Sequence, residues 1–504
     1  MIPTLQLHPG LPETGRKSSD ANWRARHVLL VLPPVSGKRL PPELPAEVRA
    51  LVQAVLVRRD LAPAALLAEG CMVQDSAGVL YSLTVAMPGA SVFDQGVALR
   101  KALAPLLAEH PAELAIAWLA MHEESATRIA LAVFVGLVNS AALPQRKSGK
   151  PPRALQVLHL FGAGAAAAPA LARARILAEA NTLARRLTLL PPNELDPGAY
   201  RTRIRKLARE RGWKLQELTL PQLKRLKAGA FLAVAQGSPS EDAAIVHLSS
   251  KPRGAKRRLA LVGKGICFDT GGHNLKNARG MYGMHEDMNG SAVALGAFQA
   301  IAALGLPVEV HCFLALAQNH LSPRAYKQND VITALNGTTI EIVHTDAEGR
   351  MVLADTLTLA SRERPDLIVD FATLTGSMIT ALGTLQSGVF ATRPELESLA
   401  RAASAISGER VVCFSAEADY DAALDSKVAD VKQCLQEGEA DHLLAARFLH
   451  RFKGEGDWIH VDLSSYRHAG GLGAVASDVN GFGVAWACNL VEQWLATPGR
   501  AADR

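Results

Sequence analysis

The chain has 504 residues with 54 Lys and Arg against 48 Asp and Glu, so its net charge of +6 permits nucleic-acid contact without implying it. Hydrophobic residues reach 49% and aromatics only 5%, the composition of a soluble globular protein whose core is mainly Ala, Leu and Val. Six cysteines (Cys71, Cys267, Cys312, Cys413, Cys434, Cys488) form no CxxC pair, which argues against a zinc ribbon or a disulfide scaffold and for reduced thiols.

At this length the chain should divide into at least two domains. The N-terminus, MIPTLQLHPGLPETGRKSSD, lacks the basic start and apolar core of a secretory signal, and a cytoplasmic protein is expected. His27 to Leu32 and Ile129 to Val138 are strand candidates, the latter too short to span a bilayer. Gln145 to Arg153 (QRKSGKPPR) is basic and proline-containing, as an exposed loop would be, and the ALQVLHLFG that follows suits a strand. From Ala165 to Leu190 apolar residues recur at helical spacing until Pro191 and Pro192 stop them. These marks place a smaller N-terminal α/β domain over 1–163, a connecting helix over 164–190 and a second domain over 191–504.

The second domain alternates strand and helix, which predicts a mixed, mostly parallel sheet covered by helices. Strands are expected at Arg258 to Gly263, Val308 to Ala317, Thr338 to His344 and Asp366 to Phe371. Helices are expected at Ser291 to Leu304 and Met351 to Ser361. Lys264, Asp346 and Thr373 then each follow a strand end, where open α/β sheets collect ligands.

Three clusters carry the chemistry: GKGICFDTGGHNLK (Gly263 to Lys276), HEDM (His285 to Met288) and HTDAEGR (His344 to Arg350). They hold five carboxylates and several cations among glycines, a set that packing does not need and a pair of divalent ions does. A phosphate-binding loop fails on detail, since Gly265 follows Lys264 where Ser or Thr belongs, and Asp269 is a poor neighbour for phosphate. Asp346 and Glu348 are two apart and leave one face of an extended segment, where they repel unless a cation lies between them. Both also suit the N-terminus of the helix that follows, as Asp287 suits the helix beginning near Ser291.

These motifs resemble those of the leucyl aminopeptidases, also called cytosol aminopeptidases. The resemblance runs through VLADTL (Val352 to Leu357) and DFATLTG (Asp370 to Gly376), then weakens over SKVAD, AARFLHRF and DWIHVDLS, and covers the C-terminal two-thirds. It implies a catalytic dinuclear-metal peptidase domain with two divalent ions, Mn or Zn, on Lys264, Asp269, Asp287, Asp346 and Glu348. Asp269 and Glu348 would bridge them, Lys264 and Asp287 would complete the tighter site and Asp346 the exchangeable one. Lys264 must then be neutral, which adjacent dications favour. The reaction implied is release of N-terminal residues from peptides by a metal-bridged water. Lys276 would stabilise the oxyanion, and Arg350 would hold a bicarbonate ion acting as general base. Met284, Thr373, Leu374 and Gly376 would line a pocket for Leu- or Met-sized side chains.

Three histidines depart from or sit unexpectedly within the family pattern. His285 stands where lysine is usual, His344 where asparagine is usual, and His273 lies in the glycine loop; each bears on substrate preference, pH dependence or metal choice. The resemblance further implies peptide substrates and a homohexamer, and the short apolar runs predict no membrane association. A second reading is a DNA-binding regulatory role, motivated by basic stretches at Lys251 to Arg258 and Arg201 to Arg211.

Overall fold

A computed structural model describes residues 2–8, 23–35, 39–120 and 125–498. Most of the N-terminal stretch read for a signal lies outside them. The chain forms two compact units, Met1–Thr182 with Ala469–Asn480, and Leu183–His468 with Gly481–Arg504. The division falls within the helix expected over 164–190, and a late segment of the chain returns to the first unit.

In the first unit a six-stranded sheet runs in the order Thr4–His8, Val157–Phe161, Glu113–Trp118, His27–Leu32, Leu80–Val85, Cys71–Gln74. All neighbours are parallel except the last pair. The expected strand at Ile129 to Val138 is instead the core of a helix, Ser125–Ser140. An unbroken apolar run suits a buried strand and a buried helix equally, so the flanks decide. Here Asn139 Nδ2 and Ser140 Oγ donate back to the carbonyls of Val135 and Gly136, closing the last turn. Gln145 to Arg153 is an exposed loop as expected. The helix after it runs Ala168–Thr188, preceded by a single 3₁₀ turn at Ala165–Ala167.

The second unit is built on an eight-stranded mixed sheet, in the order Val411–Cys413, Ser387–Ala391, Asp457–Asp462, Leu367–Ala372, Arg257–Asp269, Val308–Asn319, Ala244–Ser250, Lys214–Thr219. Its four central strands are parallel, and antiparallel pairs flank them. Helices Asn289–Leu304 and Glu348–Arg362, both almost entirely buried, pack against the central strands. All six cysteines are free thiols. Among the described residues no helix is long and apolar enough to cross a membrane.

The expected elements differ in their bounds by one to several residues, and two of these differences bear on the site. The strand read as ending at Gly263 continues to Asp269, so Lys264 lies inside it rather than after it. Its glycines serve close approach: a Cβ at Gly263 would lie 2.5 Å from Ser291 Cα, in the first turn of the helix packed across it. The strand expected over Thr338 to His344 shrinks to Thr339–Glu341 and joins a separate three-stranded sheet with Val331–Thr333 and Val431–Lys432. Asp346 therefore sits in a loop, and Glu348 opens the next helix.

Candidate metal centre

Close packing at Gly263 fixes the site's first contact. It brings the turn before helix Asn289–Leu304, which carries Asp287, beside the next residue of the strand, Lys264. Lys264 Nζ lies 2.8 Å from Asp287 Oδ1, 2.9 Å from Glu348 Oε1 and 2.8 Å from the carbonyl oxygen of Thr373, just past the strand Leu367–Ala372. Thr373 Oγ1 also donates to Asp287 Oδ1 at 2.7 Å.

Beyond the strand the chain turns through Gly271 and Gly272, whose φ values of +85° and +65° other residues adopt at a cost. This turn carries Lys276 back to the carboxylates, with Nζ 2.9 Å from Asp269 Oδ2 and 2.5 Å from Asp346 Oδ1. Thr345 clasps the two loops together. Its Oγ1 donates to the Gly271 carbonyl at 2.6 Å, and its N–H donates to Asn274 Oδ1 at 2.8 Å. Asn319, the last residue of a central strand, donates from Nδ2 to Asp269 Oδ1 at 2.8 Å and to the Thr345 carbonyl at 3.0 Å.

Charge defines what this arrangement can hold. Of the five carboxylates, Glu286 is paired with Arg467, and among the described residues the other four make contact ion pairs only with Lys264 and Lys276. That leaves two uncompensated negative charges in a buried site, which a protein does not retain without further cations or bound protons. Burial pushes the Asp287 carboxyl well up, with Glu348 and Asp269 adding to Lys264's incomplete compensation, and Asp346 is pushed up to about 7 for similar reasons. Asp287 Oδ2 is buried with no hydrogen-bond partner. Ligand oxygens of Asp269, Asp346 and Glu348 all lie within 4.8 Å of one another, so one ion can reach all three. The residues thus fit divalent metal.

Lys264 itself is held charged. Burial alone would lower its pKa, but Asp287, Glu348 and Asp269 together outweigh that and raise it. A metal binding at Nζ must therefore displace a proton, and the dications have to supply the driving force.

All the residues singled out from sequence for metal, oxyanion and side-chain pocket line one cavity of about 390 Å³. Met284, Thr373, Leu374 and Gly376 lie along it, with Ile379 and Leu435 adding apolar wall, and a Cβ at Gly376 would meet nothing within 4 Å. The three histidines divide. His344 lines the cavity, and its Nδ1 accepts from the Asp346 N–H at 3.3 Å; burial and Lys276 lower its pKa. His273 and His285 are not among the lining residues, and His273 Nδ1 meets the Tyr326 carbonyl at 2.9 Å.

Sequence reasoning did not single out Asn274, Asn319, Thr345, Gln433 or Asp441. Thr345 and Asn274 lay within the clusters already noticed, whereas nothing local marks Asn319 or Asp441. Asp441 accepts from Arg350 Nη2 at 2.7 and 2.8 Å, and Gln433 offers its carbonyl to Arg350 Nη1 at 2.8 Å.

A second group, His247, His311 and Glu363, also clusters. The two imidazole nitrogens are 2.9 Å apart, with ring centroids 5.1 Å apart and planes 23° from parallel, so one ring's N–H donates to the lone pair of the other and the pair is satisfied without an ion. The two basic stretches are partly neutralised. Arg201 and Arg205 share Glu217, while Lys251 and Arg258 share Glu309.

A buried, carboxylate-rich centre in a mixed α/β sheet defines the class, a metal-dependent hydrolase. A model of the cytosol aminopeptidase family, catalytic domain, matches residues 182–487. The chain is 39% identical over 353 residues to a probable cytosol aminopeptidase of Parasynechococcus marenigrum (strain WH8102), spanning 68% of this chain and 72% of that one. It is 38% identical over 345 residues to another from Solibacter usitatus (strain Ellin6076), with the same two shares, 68% and 72%. Among solved structures it is similar to a bottromycin maturation enzyme in complex with Mn. The TM-score is 0.81 at 29% identity, over 93% of this chain and 99% of that one. The chain belongs to the cytosol aminopeptidase family and is a leucyl aminopeptidase-type peptidase that depends on two divalent ions.

Proposed function

We propose that this enzyme removes N-terminal residues with apolar, Leu- or Met-sized side chains from peptides. Lys264, Asp269, Asp287, Asp346 and Glu348 would hold the two ions, Mn or Zn, with Asp269 and Glu348 shared between them. The observation that carries this reading is the excess of buried carboxylate over lysine, together with the unpartnered Asp287 Oδ2. The chemistry such a pair of dications would supply when bound is activation of a water and polarisation of the scissile carbonyl.

The protein's own groups divide the remaining work. Lys264, 3% exposed, would hold an ion on the deeper side as a neutral amine, its proton passing to solvent on metal binding. Asp346, whose side chain is 25% exposed, serves the more exchangeable ion. With Asp269 and Asp346 holding metal, the Lys276 ammonium would be released from these two partners and could donate to the substrate carbonyl oxygen as negative charge develops there. Met284, Thr373, Leu374 and Gly376 receive the N-terminal side chain, with open space at Gly376 setting its size. Cytoplasmic location and assembly into a homohexamer accompany this reading, the latter consistent with the strongly exposed Tyr282 and Leu275.

Leucine p-nitroanilide hydrolysis by the Mn- or Zn-loaded enzyme tests the assignment, with Asp346→Ala and Lys276→Ala as variants. Both are expected to lose about 10²-fold or more in kcat/KM, and Asp346→Ala is also expected to lose bound metal. Undiminished activity in both would overturn the assignment. A phosphate ester cleaved in preference to the anilide would overturn the peptide chemistry.

A further inference from the structure

On the aminopeptidase reading, on which this inference rests, Arg350 is the residue to which the family resemblance gives a bicarbonate-holding role. Arg350 is 1% exposed, so its guanidinium requires a counter-charge within contact distance. The structure places that charge on the protein. Asp441, first residue of the helix Asp441–His450, presents both carboxylate oxygens to Arg350 Nη2 at 2.7 and 2.8 Å. Arg350 Nη1 is taken by the Gln433 carbonyl at 2.8 Å. The Asp441 side chain keeps 21% of its surface exposed, and both Asp441 and Arg350 line the cavity shared with the metal-centre residues.

We propose that Asp441 is the resident anion of Arg350, occupying the position an exogenous carbonate-type anion would otherwise take, so that peptide hydrolysis by this chain is independent of added bicarbonate. The reason is electrostatic exclusion. An arginine already neutralised by a carboxylate in contact with it offers little net attraction to a second anion, and that anion would meet the first as a like charge a few ångströms away. A small carboxylate on the protein also has an effective concentration that a dissolved ion must match. The plainer role of Asp441, as an N-terminal charge for its helix, needs no arginine and is compatible with this one. Asp441 is thereby a positioning residue, holding Arg350 beside Glu348.

The test uses the full-length zinc-loaded enzyme in carbon-dioxide-depleted buffer, with bicarbonate titrated in. Wild-type kcat/KM on leucine p-nitroanilide is expected to change less than about twofold, whereas Asp441→Ala should fall by about 10²-fold and regain at least about tenfold as bicarbonate saturates. Asp441→Asn removes the charge but keeps the side chain in that position, so it should lose activity as Asp441→Ala does and regain little with bicarbonate. The paired binding measurement is ¹³C-bicarbonate line broadening without substrate: absent in wild type, saturable in Asp441→Ala, and absent again in Asp441→Ala with Arg350→Ala. Saturable activation and binding in the wild type would overturn the proposal, as would an Asp441→Ala enzyme that neither binds nor responds to bicarbonate. If the wild type cleaves no peptide at all, the aminopeptidase reading fails, while the binding measurement still decides the place of Asp441.

Discussion

Replacing Gly349 by alanine places one methyl group against the lysine at the heart of the site. An ideal Cβ there would lie 2.7 Å from Lys264 Cε, 2.8 Å from Nζ and 2.9 Å from Cδ. Relaxed carbon contacts need about 3.5–4.0 Å, so the end of Lys264 must retreat by roughly 1 Å. It has nowhere equivalent to go: the side chain is buried, and Nζ is held by Asp287, Glu348 and the Thr373 carbonyl at 2.8–2.9 Å. On folding, alanine gains up to about 1 kcal/mol of helix propensity over glycine, against about 1–3 kcal/mol for overpacking, so the variant should fold with a net loss of about 0–2 kcal/mol. On chemistry, a 1 Å misplacement costs about 10²-fold. Thermal melting, metal content after dialysis and kcat/KM on leucine p-nitroanilide separate the two effects. The expected result is a melt close to wild type, reduced metal in the tighter site and kcat/KM down about 10²-fold. Full metal content with kcat/KM within about threefold of wild type would refute the placement of Lys264 as a ligand.

Other predictions follow from neighbouring observations. Gly376→Leu fills the open space at the cavity wall, so KM for leucine substrates should rise about tenfold or more while alanine substrates suffer less; an equal effect on both would remove Gly376 from the side-chain pocket. Glu409 is half-buried, accepts from Gly483 N–H and Trp486 N–H, and is pushed up to about 7 by desolvation against an ordinary 4.5. Its folded form holds the proton more tightly, so stability is full below pH 4.5 and lost as pH rises through 7, by on the order of 3 kcal/mol at pH 8. Glu409→Gln keeps an acceptor oxygen and should show a much smaller loss between pH 5 and 8 in urea midpoints; a parallel loss in the variant would place that pH dependence elsewhere. Chelation should abolish activity and lower the melting temperature, by up to about 4 kcal/mol of linkage if the ion was present at a thousand times its Kd. Restoration by Mn or Zn and not by Ca would fit the lysine ligand, since a neutral amine suits softer ions.

The chemical inventory of the site was legible because it is concentrated in three short motifs. Side chains a few residues apart in sequence stay close in the fold, so Asp346, Glu348 and Arg350 read together, as do Lys264, Asp269 and Lys276. The bounds of the elements carrying them were less legible. Gly263 and Gly265 read as a turn on propensity, yet the strand continues through them because the helix packed across it leaves no room for a side chain. Ile129 to Val138 was ambiguous for the opposite reason, since an all-apolar run carries no period. Asn319 went unnoticed because an asparagine at a strand end is an ordinary residue until Asp269, 50 positions away, is found to accept from it.

Sequence alone thus determined the kinds of group available: five carboxylates and several cations in three short motifs, on a chain that alternates strand and helix. Tertiary structure decided which group pairs with which. Lys264 belongs to Asp287 and Glu348, Lys276 to Asp269 and Asp346, and Arg350 to Asp441, 91 residues further along. Hydrogen bonds and contact ion pairs act over about 3 Å, and only the packed sheet, with its helix seated on Gly263, brings distant segments within that range.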